Sequence, residues 1–249
     1  MKTADSLEHD SPLYASCRKL TFHAPFGWLE KGWQDFRRAP WHSLIYGVIF
    51  AALGWTLIYF SRTDEGYLVA GLIISLLVVG PALTFGLYDI SHELELNHKP
   101  SFRHERRKAL HEMGHELMLV LLLSLAFLLL LLIIPMVMNV VTPERFAVSA
   151  AVPMTDAVTI FVAAIFAGLL FVVSIFALPM ILDQDADAMM AITTSLHAVW
   201  RNKSVLALWV LLILALTAVG FATALIGFVF IVPVLGYATW HAYRETIIK

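Results

Sequence analysis

From Val205 to Trp240 the chain carries no charged residue, a stretch too long for one membrane crossing and too apolar to be hidden from water by a chain of 249 residues. A bilayer core of about 30 Å is crossed by about 20 apolar residues in helical form, because hydrocarbon offers unpaired backbone groups no partner. The stretch therefore reads as two crossings, 205–219 and 221–240, that turn around Val219-Gly220. Four other runs have the same character: 41–60, 66–88, 115–138 with its leucine run Leu117–Leu132, and 157–182. Composition agrees, with 59% hydrophobic and 14% charged residues, against about 45–50% and about 25% in soluble domains. A soluble enzyme is excluded. A net charge of −2 leaves no basic excess for a nucleic-acid partner. The single cysteine, Cys17, forms no internal disulfide and belongs to no zinc or redox motif.

The expected fold class is all-α: a polytopic membrane protein of six transmembrane helices arranged as three hairpins, each preceded by a cytoplasmic amphipathic helix. Residues 1–25 form a polar tail and 26–249 one membrane domain. The polar turn at 61–65 joins the first hairpin, and 139–156, with Pro143, Pro153 and Asp156, reads as a loop. The polar first forty residues, and a first apolar run followed by a second span, read as a chain with no cleaved signal peptide. Fifteen of the seventeen lysines and arginines fall before span one, between spans two and three, between four and five, or after six; only Arg62 and Arg145 fall on the other side. The positive-inside rule then places both termini in the cytoplasm, which in a bacterium means the inner membrane.

Three degenerate copies are visible. Leu29, Trp33 and Phe36 mark one face of an amphipathic helix at 26–38; Met189, Ile192, Leu196 and Trp200 mark another at 188–203; a more charged middle copy covers 102–115. Such helices lie in the headgroup plane. The even-numbered spans share a proline near the cytoplasmic end, Pro81, Pro179 and Pro233, and Asp89, Asp187 and His241 follow eight residues later. Each proline frees a backbone carbonyl. Those carbonyls serve either kinked helix packing or a polar vestibule like that of transporters. Small residues at Gly71, Ser75, Gly80, Ala82 and Gly86 permit close helix contact.

Several blocks resemble an uncharacterised family of bacterial integral membrane proteins, domain of unknown function 2189. They are Gly32-Trp33-Gln34-Asp35-Phe36; Pro40 with Ser43–Gly47; Tyr88-Asp89-Ile90-Ser91; Leu178–Asp183 with Ser195, Ala198 and Asn202; and Gly236–Arg244. The resemblance spans about 26–246 and implies a six-helix inner-membrane protein. It implies no activity.

Three groups of residues could carry chemistry. His111-Glu112-Met113-Gly114-His115 has the spacing in which two histidines on one helical face bind zinc and the glutamate activates water. Asp183 in Leu182-Asp183 is the candidate third ligand, as in site-2-type intramembrane proteases. The alternative for this segment is a solvated helix whose basic residues, Arg103, Arg106, Arg107 and Lys108, meet anionic lipid. Asp183, Asp185 and Asp187 lack the glycine and glutamate of a calcium loop and suit capping of the following helix. Trp240, His241, Tyr243 and Arg244 suit anchoring at the interface, and His241 is placed to pair with Asp89 or Asp183.

The expectation is a protein without catalytic residues, cofactor or resident metal, zinc being the alternative cofactor. Its partners are the lipid bilayer and another membrane protein or a second copy of itself, met through a cytoplasmic face of Trp33, Arg37, Asp89, His92, Asp183, His241 and Arg244. The alternatives are a small permease or channel between the hairpins, and the zinc-dependent protease using His111, Glu112 and His115.

Overall fold

The computed structural model describes residues 14–60, 83–98, 152–184 and 186–248. Among them all regular structure is helical apart from one isolated bridge. The helices are α1 (Ala24–Arg38), α2 (Pro40–Phe60), α3 (83–95), α4 (Val152–Gln184), α5 (Ala188–Arg201), α6 (Lys203–Ala222) and α7 (Phe228–Thr246). The expected segments 66–82, 102–115 and 115–138 lie outside the described residues, as does the turn at 61–65.

Two of these helices, α2 and α6, are long and apolar enough to cross a membrane, yet only 17% and 22% of their apolar windows is buried. Val48, Ile49 and Trp55 on α2, and Leu211 and Leu214 on α6, are exposed. A soluble protein rarely leaves so much contiguous apolar surface in water, whereas hydrocarbon accepts it.

Local signals explain most boundaries. Pro40 holds Ala39 out of the helical region (φ −125°, ψ 58°), separating α1 from α2. Asp187 caps α5, its carboxylate accepting from the Met189 N–H at 3.1 Å, as the sequence suggests. Helix α3 continues past the expected end of span two at 88. It closes at Asn97, whose φ of 57° and bonds Asn97 N–H to Leu94 O and His98 N–H to Glu93 O make a left-handed cap. This extra stretch of about two turns carries Ser91, His92 and Glu95 into the site described below.

Two expected boundaries are corrected. Helix α4 starts at Val152, inside the expected loop; a proline in the first turn and an acidic residue soon after start helices as readily as they break them. The turn between α6 and α7 lies at 223–227, not at Val219-Gly220. Gly220 sits within α6 because a Cβ there would come 2.5 Å from the Phe228 ring, and the turn itself uses Ala224 (φ 51°) and Leu225 (φ 68°).

Helix α7 is the hub against which α1, α2, α4 and α6 pack. Gly32 brings α1 onto it, since a Cβ there would lie 2.6 Å from Val234 O and 2.9 Å from Ala238 N. Gly47 brings α2 onto it, since a Cβ there would collide with Val229 O. Val229 O is the acceptor that Pro233 leaves without its helical donor. Of the two readings of the prolines, close packing is the one this crossing serves. Gly86, among the small residues expected to allow contact, receives the Tyr46 ring; Gly71, Ser75, Gly80 and Ala82 lie outside the described residues.

The apolar face marked on each amphipathic helix is divided: Phe36 is buried and Leu29 and Ile192 pack against the core, while Trp33, Met189, Leu196 and Trp200 are exposed. In α1 the buried residues are Ala24, Pro25, Trp28, Gly32, Asp35 and Phe36, while Trp33 is exposed. In α5 they are Ala191, Thr194, Ser195 and Ala198, while Met189, Leu196 and Trp200 are exposed. Small and hydroxylated residues, with Trp28 and Phe36 of α1, make the contact with protein, while Trp33, Met189, Leu196 and Trp200 point outward, as apolar side chains of interfacial helices do. Ser195 stitches α5 to α4 by donating to Val172 O at 2.6 Å.

The segment before α1 is a strap. Arg18 N–H donates to Thr246 O and Ile248 N–H to Ser16 O, forming a bridge between Cys17 and Ile247. Asn202 holds its other edge, accepting from Leu20 N–H at 2.9 Å and donating to Arg18 O at 3.0 Å. Cys17 is buried beneath the strap, and burial raises its thiol pKa against the opposing pull of Arg201. Asn202→Ala removes two bonds of about 1 kcal/mol each, so the strap should open about thirtyfold more often. Maleimide labelling of Cys17 in the folded protein should accelerate by that factor; an unchanged rate would show that Asn202 does not hold the strap.

Candidate functional site

One end of the hub gathers polar side chains from four helices. Asp35 of α1 is 4% exposed. Its Oδ2 lies 2.7 Å from His241 Nε2 of α7 and accepts the Ser91 hydroxyl of α3 at 2.6 Å. Asp183, at the end of α4, has a 1% exposed side chain. It accepts from the Tyr243 hydroxyl at 2.7 Å and Arg244 Nη1 at 3.4 Å, with His92 Nε2 at 3.9 Å from its other oxygen. Arg244 Nε also meets Glu95 of α3 at 3.1 and 3.2 Å, and Trp240 Nε1 donates to Glu95 at 3.3 Å. Gln184 Nε2 donates to the Tyr243 oxygen at 2.9 Å. Beneath these groups the Trp240 ring packs on His92, Tyr88 and Tyr243, with centroids 5.2–6.3 Å apart.

Electrostatics follow from burial. A buried carboxylate persists as an anion only when hydrogen-bonded or paired, and Asp35 and Asp183 each have donors from other helices. Tyr243 lies beyond the apolar run that ends at Trp240. Burial first, then the bond to Asp183 and that residue's charge, push its hydroxyl well above the ordinary tyrosine range. It is a proton donor at every physiological pH.

Four of the seven expected face residues therefore meet: His92, Asp183, His241 and Arg244. The expected partner of His241 is corrected, for it pairs with Asp35 and not with Asp89 or Asp183. Asp89 is half-buried on α3 beside the cluster's Tyr88. Trp33 is 47% exposed and stacks on Phe36, and Arg37 is exposed on the outer face of α1. His111, Glu112 and His115 lie outside the described residues. Among the described residues no group of three or more His, Cys, Asp or Glu side chains could hold a metal.

From sequence, Glu95 is not singled out, Asp35 and Ser91 are named only within blocks of family resemblance, and Tyr243 is placed as an interface anchor. A signal for Asp35 existed: it stands seven residues after Trp28 and three after Gly32, on the small-residue face that packs on α7. His241 likewise falls three residues after Ala238, the other side of the same crossing.

These contacts join the blocks that carry the family resemblance: Asp35, Ser91, Asp183 and the run through Arg244. Residues 68–183 match the family described as a predicted integral membrane protein, domain of unknown function 2189. The resemblance holds over that range, which takes in α3 and nearly all of α4. The α1 and α7 blocks lie outside it, yet Asp35 and Tyr243 bind residues within it. No curated protein and no solved structure matches the chain. This is a membrane-protein family without an assigned role, so function has to be argued from the cluster.

Proposed function

We propose that this chain is a non-catalytic multi-pass protein of the bacterial inner membrane, serving as a structural, assembly or accessory partner of another membrane component. One observation carries the reading: the polar cluster is spent on the protein itself. Asp35, Glu95 and Asp183 each accept from side chains of other helices, and together they tie α1, α3, α4 and α7 into one end of the bundle. Such a network holds a scaffold in a fixed shape; a catalytic site presents an acid, base or nucleophile to a substrate.

Six crossings in three hairpins, with both chain ends in the cytoplasm, are supported by two further features. The strap sets Cys17 beside Ile247, on one side of the molecule, as an even number of crossings requires. The polar cluster and the arginines Arg37, Arg38, Arg201 and Arg244 then belong to the cytoplasmic rim.

Single cysteines in a Cys17→Ser background test the topology with a membrane-impermeant maleimide on intact cells. Asp64→Cys and Glu144→Cys should label from outside, and Lys99→Cys and Ala186→Cys should not; outside labelling of either of the latter overturns the layout. The accessory role predicts a stoichiometric second membrane protein when the chain is extracted in polymer-bounded native nanodiscs. Recovery of the chain with lipid alone overturns that role.

A further inference from the structure

Between α2, α3, α6 and α7 lies a cavity of about 460 Å³, partly open at the surface. Its walls include Phe50 and Gly54 of α2, Ile213 and Thr217 of α6, and Leu235 and Thr239 of α7. No charged side chain is among the described residues that line it. The Thr239 hydroxyl is already bonded to Leu235 O at 2.8 Å within its own helix. The other hydroxyls in the lining are those of Thr84, Tyr88 and Thr217, and the rest of the wall is apolar. The volume lies within the roughly 300–1,000 Å³ of small-ligand sites.

What fills such a space follows from where it lies. Two of its walls are the helices that are long and apolar enough to cross a membrane, and the outer faces of both are uncovered. The medium at its mouth is therefore phospholipid hydrocarbon. We propose that the cavity is a binding site for one acyl chain of a membrane phospholipid, held between α2, α6 and α7 as part of the folded protein. The acyl chain fills the space between α2 and α6, which pack more closely on α7 than on each other. The inference rests on the membrane embedding and is independent of the accessory role.

Photolabelling tests it on the full chain, reconstituted in phosphatidylethanolamine and phosphatidylglycerol vesicles containing a phosphatidylcholine with a diazirine near its acyl terminus. Adducts should appear on Ile213, Thr217 or Leu235 as well as on outward Leu211 and Leu214. Thr217→Phe fills the cavity and should remove most of the inner adducts while leaving the outer ones unchanged. Gly54→Leu provides the same test should the first variant not fold, because the atom nearest a Cβ at Gly54 is the flexible end of Leu225 at 2.9 Å. Adducts confined to Leu211 and Leu214, or inner adducts unaffected by filling, overturn the site. Loss of inner adducts on adding unlabelled palmitate at trace concentration assigns the cavity to a free fatty acid and overturns the phospholipid as occupant.

Discussion

Gly47→Leu should destabilise the folded chain by about 3 kcal/mol or more, above the middle of the range for overpacking. The atom that a side chain at position 47 meets is Val229 O, a backbone atom of the hub helix. A crowded side chain can change rotamer, but a carbonyl held in a helix moves only with the helix. Pro233 denies that carbonyl its helical donor and leaves it where a Cβ at position 47 would fall. For a chain of this size, about 3 kcal/mol corresponds to a fall of about 6–12 °C in Tm, read by thermal unfolding in mild detergent. Gly27→Ala is the matched control, because a Cβ at Gly27 meets nothing within 4 Å. That change should be neutral or slightly stabilising. Equal effects of the two substitutions would show that the α2–α7 crossing is not set by Gly47.

Asp35→Ala should cost about 3–5 kcal/mol, the range for removing one partner of a buried pair. The loss arises from what remains: a His241 imidazole, 15% exposed, and a fully buried Ser91 hydroxyl that both point at a missing oxygen. The double variant Asp35→Ala/His241→Ala should therefore be less unstable than the sum of its single variants, because the second change removes a group the first leaves unpartnered. Additivity within about 0.5 kcal/mol in denaturant or thermal unfolding would rule out their coupling. Glu30→Ala, at an exposed position of the same helix, should shift stability by no more than about 0.5 kcal/mol.

The helical class, the membrane setting and the positions of α1, α2, α5 and α6 are legible in the sequence, because they depend on local composition and on prolines and caps that act within a few residues. Which face of a helix meets protein is less legible. In α1 and α5 the marked apolar face splits, with Phe36, Leu29 and Ile192 on the core and Trp33, Met189, Leu196 and Trp200 exposed, and Gly32, Ala191 and Ala198 lie on the packed side. In water, burial and hydrophobicity point the same way; in hydrocarbon they separate. The turn at 223–227 escaped notice for a related reason. Gly220 signals a close approach by Phe228, and its meaning as a turn or a contact depends on a residue from the next helix. The candidate site was half visible: the histidines and the arginine stood out by type, whereas Asp35, Glu95 and Tyr243 gain significance only when α1 and α3 are set against α7.

The strap joins parts of the chain that are made far apart in time. Residues 14–20 leave the ribosome first, and their partners at Asn202 and 246–248 follow last. At about 5–20 residues per second, the strap waits on the order of tens of seconds for its binding site to exist. Throughout that interval Cys17 is accessible and the inner edge of α5 uncovered; docking of the strap then reports that the final helix is in place. A truncated or misinserted product lacks that closure, and the thiol at position 17 stays uncovered in it.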